Sequence, residues 1–407
     1  MATTMISVDE ARRRILDGVA PLVPIELPLA EAHGCVMARD VVTEYDIPPF
    51  SSALVDGFAV RAADVAGSSP QTPVRLRVAG WVLTGRPPET TVGWGEAARI
   101  SANAPIPAGA DTVVPAERVD VEGEMVRIGG GVELGANIRP AGEDVRAGSV
   151  LVPAGRRLSS AELGILATAG HGTALTYPKV RVSVVSVGEF VEPGRPAGFG
   201  QVRDANSYAL VGALRDVGAV PYRVGIVQDL EAELRETLLS NLTRADVFIC
   251  AGGIGEEGDR IGLLIAGMGD VETYRVAMLP GGILGFGLVD GKPFFTLPSD
   301  PASAFVSFEI FLRPAILKTM GRRDVGRPEV NAVLDAAIEG PGGTTRFVPA
   351  VVSYRQGAWR ALPTGSGAPN LLGAVVQANG FVVLPPEEES GAAGDRVRVQ
   401  IFRPLER

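Results

Sequence analysis

The chain has 407 residues, 46% of them hydrophobic, and a formal net charge of −9. That length exceeds one ordinary core and predicts two or three domains, and the apolar content argues against disorder over most of the chain. The acidic balance excludes a broad electrostatic grip on DNA or RNA, because neutralising phosphates takes clustered Lys and Arg.

The 51 glycines, 31 prolines and few aromatics point to turns and short β elements rather than a helical bundle. Lysine occurs only at positions 179, 292 and 318, so an anion site would rely on arginine or backbone N–H groups. No apolar run approaches the roughly 20 residues that span a bilayer, and the amino end lacks a signal-peptide pattern. The expected location is the cytoplasm, with neither nucleic acid nor membrane insertion. Cys35, Cys250, His33 and His171 lack metal-ligand spacing and are expected to be buried and satisfied.

Residues 7–19 open with Ser7 and place Glu10 three positions later, the pattern of a capping box and a short helix. From about 22 to 158 short alternating apolar runs broken by Gly, Pro and Asp predict β structure with long loops. Ser159 and Glu162 repeat the capping-box pattern before SSAELGILATAG. VRVSVVSVG (181–188), DANSYALVGALRDVGA, PYRVGIV, DLEAELRETLLSNLTR and VFICAGG then alternate strand and helix, which predicts a parallel sheet covered on both faces. ILGFGLV-DG-KPFFTLP reads as a hairpin with an Asp-Gly turn. Asp300 followed by Pro301 reads as an N-cap with proline at the first helical position, and Pro314 disturbs the helix that follows. Residues 330–407 return to short strands and turns.

The stretch Gly253-Ile254-Gly255-Glu256-Glu257-Gly258 matches G-x-G-x-x-G by letter. A dinucleotide pyrophosphate fits it poorly, because Glu256 and Glu257 would face the phosphates. Two like charges at about 4 Å repel by about 4 kcal/mol at an effective dielectric of 20. A divalent cation between carboxylate and phosphate would reverse the sign, since magnesium often uses one or two carboxylates plus substrate phosphates. Pattern alone favours a tight strand-to-helix turn whose glycines serve positive φ.

Six segments carry a wider resemblance: PPFSSALVDGFAVRAAD (48–64), RISANAPIPAGADTVVPAE (99–117), GANIRPAGEDVRAG (135–148), the acidic glycine loop, TLPSDPASAFVSFEIFLRP (296–314) and ANGFVVLP (378–385). In this order they resemble the MoeA and gephyrin E-domain family over nearly the whole chain. The resemblance implies an α/β plus β-rich, elongated, multi-subdomain protein: a central doubly wound, MogA-like α/β domain at 178–325, a β-rich domain at 46–139, a linker domain formed by 1–45 with 140–177, and a barrel-like carboxyl-terminal domain at 326–407. It implies an enzyme that takes adenylylated molybdopterin and molybdate, assisted by Mg2+, releases AMP and forms molybdenum cofactor. It also implies a homodimer that shares its cleft between subunits.

Carried over by position, the resemblance makes Asp56, Glu189 and Asp259 the catalytic carboxylates, with Asp259 and Glu189 as metal ligands. Ser101, Arg139, Glu143, Asp144, Gly252, Gly253, Pro298, Ser299, Asp300, Pro301 and Ser303 become the substrate-binding set. The chain departs from the family pattern at Ser51, Ser52 and Ala102, at Gly282 where the family has lysine, and at Ser299-Asp300 where it has Gly-Asn. Two expectations therefore stay open: an insertase with an altered site, or a dimeric scaffold that holds a protein partner.

Overall fold

The computed structural model describes residues 5–228, 231–241, 243–252, 254–255, 258–259, 261, 269–365 and 372–404. Its first helix, Val8–Asp17, starts where the sequence predicts: Ser7 Oγ accepts from the Glu10 N–H at 3.1 Å. The return half of the box is absent. The Glu10 carboxylate turns instead to Arg13 and Arg14, at 2.7 and 2.6 Å, because two guanidinium groups one turn ahead outcompete one backbone N–H. Val8, Ala11 and Ile15 share one face of this helix and are buried against the central sheet. The helix stops at Gly18, where a Cβ would lie 2.6 Å from the Phe286 ring, so only glycine admits this close approach.

The second box is complete. Ser159 Oγ accepts from the Ala161 N–H, and the Glu162 carboxylate accepts from both the Ser159 N–H and its hydroxyl. Hydrogen bonds from Ser159, then from Arg156, pull Glu162 down to about 2, so it stays ionised as helix Ser160–Thr168 requires.

The central sheet orders its strands Met5–Ile6, Gly269–Val276, Ile283–Val289, Lys292–Leu297, Val247–Ala251, Arg181–Val187 and Val220–Val227. It is parallel where helices cross over: Arg181–Val187 lies parallel to both Val220–Val227 and Val247–Ala251, and the latter to Lys292–Leu297. It turns antiparallel at the predicted hairpin. There Asp290 and Gly291 take φ of 50° and 71°, the pair of positive values that lets a two-residue turn match the twist of its strands.

Alternate side chains feed two cores. Val182, Val184, Ile249 and Phe295 pack with Val8–Asp17, with helix Asn206–Asp216 and with the helical run Pro301–Thr319. Val185, Val187, Phe248, Cys250 and Phe294 face Leu234 and Leu238 of helix Glu231–Asn241. The run after Asp300 is α-helical over Pro301–Ser307, widens to a π turn over Phe308–Leu312 and resumes at Arg313–Thr319. Pro314 is the physical cause, since it donates no N–H and its ring crowds the carbonyl one turn back.

Before this sheet, six strands from Gly57–Val60 to Met125–Ile128 form one mixed sheet, and Ile138–Arg139 pairs with Ser52–Ala53. After it, strands between Glu329 and Ile401 pair in a ring, which Thr345–Arg355 closes by bonding both Ala358–Pro363 and Gly380–Leu384. The result is a mixed, sheet-rich α/β architecture with a carboxyl-terminal β barrel.

Candidate active site

In open parallel sheets ligands lie outside the carboxyl ends of the strands. Here three strands finish side by side. Arg181–Val187 ends at Gly188, whose N–H donates to the Val227 carbonyl at 3.0 Å; Val247–Ala251 ends at Gly252, whose N–H donates to Leu297 at 3.0 Å; Lys292–Leu297 ends at Pro298. Gly252 has φ of 98°, and a Cβ there would stand 2.2 Å from the Val187 carbonyl oxygen. Glu189 follows the first strand, exposed and without an ion pair among the described residues.

The segment after Pro298 is held by four hydrogen bonds. The Ser299 carbonyl accepts from Asn206 Nδ2 at 2.7 Å. Asp300 Oδ1 accepts from the N–H groups of Ala302 and Ser303, each at 3.2 Å, just inside Pro301. Ser303 Oγ accepts from the Gly281 N–H at 3.0 Å. Asp300 therefore already occupies donors that an incoming oxyanion would use at this helix start. Gly281 and Gly282 both have φ of 102°, so a lysine side chain at position 282 would be strained there.

Because asparagine caps as well as aspartate, Asp300→Asn should shift folding stability by less than about 0.5 kcal/mol, whereas Asp300→Ala should cost about 1 kcal/mol in urea unfolding. Equal losses for both would mean that charge, rather than the acceptor oxygen, holds this helix start.

Beside this edge lies a residue that sequence reasoning missed. Asp204 is 2% exposed and precedes helix Asn206–Asp216. Its Oδ1 accepts from Ser186 Oγ at 2.7 Å and from the Ser207 N–H at 3.1 Å; its Oδ2 accepts from Ser207 Oγ and from Arg223 Nη2, the latter at 3.1 Å. Burial opposes its ionisation, but the hydrogen bonds from Ser207, Ser186 and Arg223 outweigh it and hold the carboxyl below its ordinary value. Arg223 also donates to Glu192 at 2.6 Å and lies 4.4 Å over the Tyr208 ring. The Oδ1 of Asn206 is buried without a partner among the described residues. The signal in the sequence is Asp204-Ala-Asn206 at the start of a helical pattern.

The other predicted residues sit on the amino-terminal sheets. Asp56 is exposed just before strand Gly57–Val60, and its Oδ1 accepts from the Ala102 N–H at 2.8 Å. Its neighbour must be glycine, since a Cβ on Gly57 would stand 2.1 Å from the Val114 carbonyl oxygen. Ser101 donates its N–H to Val82 at 3.0 Å. Arg139 Nε donates to Glu143 at 3.0 Å, with Asp144 at 4.0 Å; the acids are 52% and 53% exposed, so these pairs add little stability and stay available to a ligand.

Among the described residues no hydrogen bond or ion pair joins Asp56, Ser101 or Arg139 to the central sheet edge. Gly253, Glu256, Glu257 and the side chain of Asp259 lie outside the described residues. The backbone around them pairs Ile254 with Asp259 and Gly255 with Gly258 in an antiparallel ladder, rather than the strand-to-helix turn expected from pattern. Among the described residues no three His, Cys, Asp or Glu side chains are placed to hold a metal ion together.

Comparison with known families decides the assignment. Residues 6–170 match the MoeA N-terminal region (domain I and II), 183–318 a probable molybdopterin binding domain, and 331–402 the MoeA C-terminal region (domain IV). The chain belongs to the MoeA family. It is 37% identical over 419 residues to molybdopterin molybdenumtransferase 1 of Mycobacterium tuberculosis, covering 97% of this chain and 98% of that one. The molybdopterin molybdenumtransferase of Haemophilus influenzae is 30% identical, with 98% and 100% covered. A MoeA crystal structure from Pyrococcus horikoshii superposes with a TM-score of 0.82 at 30% identity, covering 98% of this chain and 100% of that one. MoeA membership makes this chain a transferase-type enzyme of molybdenum cofactor biosynthesis, and the strand ends at 188, 252 and 298 belong to its MogA-like domain.

Proposed function

We propose that this MoeA-family chain transfers molybdenum from molybdate to adenylylated molybdopterin and releases AMP with the finished cofactor, in the cytoplasm. The observation that supports the reading most is the convergence of Gly188, Gly252 and Pro298 at one sheet edge beside the buried Asp204. Glycine at 252 lets a ligand approach the backbone closely, Ser303 and Asn206 hold the flanking loops, and Glu189 presents an exposed carboxylate.

A hard cation suits that last group, since magnesium takes one or two carboxylates and completes its shell with phosphate oxygens and water. Glu189, with Asp259 as second donor, would hold it; once bound it neutralises phosphate charge as a Lewis acid. The chain's own residues position the adenylate: Arg139 offers a planar, partly exposed fork to an oxyanion, and the Asp56 carboxylate stays exposed while it fixes the loop at Ala102.

A second reading, a scaffold for a protein partner, is favoured by one observation, the Asp300 carboxylate seated on the helix donors. Rescue of a cell lacking its own insertase supports transfer. A folded, expressed chain that fails to rescue supports the scaffold.

Two further expectations follow. Magnesium should tighten AMP binding by about tenfold in calorimetry, and Glu189→Gln with Asp259→Asn should remove that gain; equal binding with and without magnesium contradicts the cation role. Asp56, Ser101 and Arg139 would complete the cleft from a second subunit, as a homodimer of this family-wide kind requires. Light scattering should then return twice the chain mass, and a single-chain mass across a wide concentration range contradicts a shared cleft.

A further inference from the structure

A cavity of about 770 Å3 lies behind helix Asn206–Asp216, between the helical run Pro301–Thr319 and helix Leu372–Gln377. Although the chain is acidic overall, among the described residues five arginines line this space against two acids, Asp216 and Glu309. Glu309 is buried and already taken: both oxygens accept from Arg327, each at 2.8 Å. Four arginines remain against one carboxylate, and none of Arg157, Arg313, Arg322 and Arg403 has an ion pair among the described residues.

Arg313 shows the deficit most clearly. Its Nη1 donates only to the neutral carbonyls of Val325 and Gly326, at 3.0 and 3.3 Å, and its Nε is buried without a partner. Burial, then the nearby charge of Arg327, pulls Arg313 down to about 10, still cationic at neutral pH. Such a cluster is held at a cost that a bound anion would offset. The opposite wall is apolar, with Phe305 edge-on to Phe402 at 5.7 Å and Leu317 beside them.

We propose that this cavity binds an organic phosphate, its anionic end among Arg313, Arg322 and Arg403 and its apolar or aromatic end on Phe305, Leu317 and Phe402. Several fork-shaped donors suit a doubly charged tetrahedral oxyanion. The volume falls in the range of small-molecule sites, about 300–1,000 Å3, and is far larger than bare phosphate needs. The site is separate from the strand ends at 188, 252 and 298, so it does not depend on the proposed transfer. The two regions share one side chain: Tyr208 lines the cavity, and its hydroxyl donates to Glu192 beside Arg223.

Calorimetry with 1-naphthyl phosphate, inorganic phosphate and 1-naphthol tests the proposal. The aromatic phosphate should bind once per chain, inorganic phosphate at least about tenfold more weakly, and naphthol without measurable heat. Arg403→Glu and Arg322→Glu should each weaken the aromatic phosphate by about tenfold or more, while the lysine variants lose less. Val376→Glu places a carboxylate in the wall from a residue 62% exposed, and so tests the same site even if an arginine variant unfolds. Glu189→Gln should leave the affinity unchanged; a gain would locate the probe at the strand ends instead and overturn the proposal. Absence of binding at millimolar probe, or equal affinity in folded charge-reversal variants, also overturns it.

Discussion

Replacing Asp204 by alanine should destabilise the chain by about 2–4 kcal/mol. Removing one member of a buried ion pair costs about 3–5 kcal/mol, because the remaining charge is left in a poor environment. Here Arg223 keeps Glu192 and is itself 24% exposed, which places the loss toward the lower end. Ser186 Oγ, buried on the strand next to the sheet's edge, and the Ser207 N–H lose their acceptor as well. Asp204→Asn keeps an acceptor oxygen and should lose about half as much.

The sign with pH follows from the depressed carboxyl. Asp204 has a folded value below its unfolded one, so its contribution is fully present above the unfolded value, about 3.9, and fades as pH falls through the folded value. Urea unfolding from pH 7 down to pH 3 should therefore show the difference between the natural chain and Asp204→Asn shrinking below about pH 4. A difference that stays constant to pH 3 would mean that the charge of Asp204 does not stabilise the fold.

Gly252→Ala should cost about 3 kcal/mol or more. Two penalties add. The φ of 98° costs a residue with a Cβ about 1–2 kcal/mol. The added carbon would meet the Val187 carbonyl at 2.2 Å, a backbone atom of the neighbouring strand that cannot turn away. Gly218→Ala separates the terms, since Gly218 has φ of 89° and no heavy atom within 4 Å of its Cβ position. That variant should lose only the conformational part. Equal losses at the two sites in urea unfolding would show that the strand ends at 187 and 252 can part without cost, against a rigid ligand edge.

The features legible in the sequence are those whose partners lie within a few residues. Ser159 with Glu162, Asp290 with Gly291, and Asp300 with Pro301 all act locally, and all three form as expected. Ser7 with Glu10 was legible only by half, because Arg13 and Arg14 compete for the same carboxylate. Asp204 was not legible: Ser186 and Arg223 stand 18 and 19 residues away, and only the parallel pairing of their strands brings them together. Gly252 could be read as a loop glycine, but its necessity comes from the Val187 carbonyl on a neighbouring strand. The same limit applied at Asp300. Its role as a cap was visible in the text, whereas the resulting occupation of donors at the ligand edge needed the fold.

If the strand ends at 188, 252 and 298 carry out the proposed molybdenum transfer, a single reconstituted reaction reveals it. Purified chain is given adenylylated molybdopterin, molybdate and magnesium; AMP is quantified by chromatography, and cofactor by reactivation of an apo-molybdoenzyme. AMP and active cofactor should form in equal amounts, both requiring molybdate. AMP at the level of a protein-free control, from a chain that is folded and binds the substrate, would contradict it.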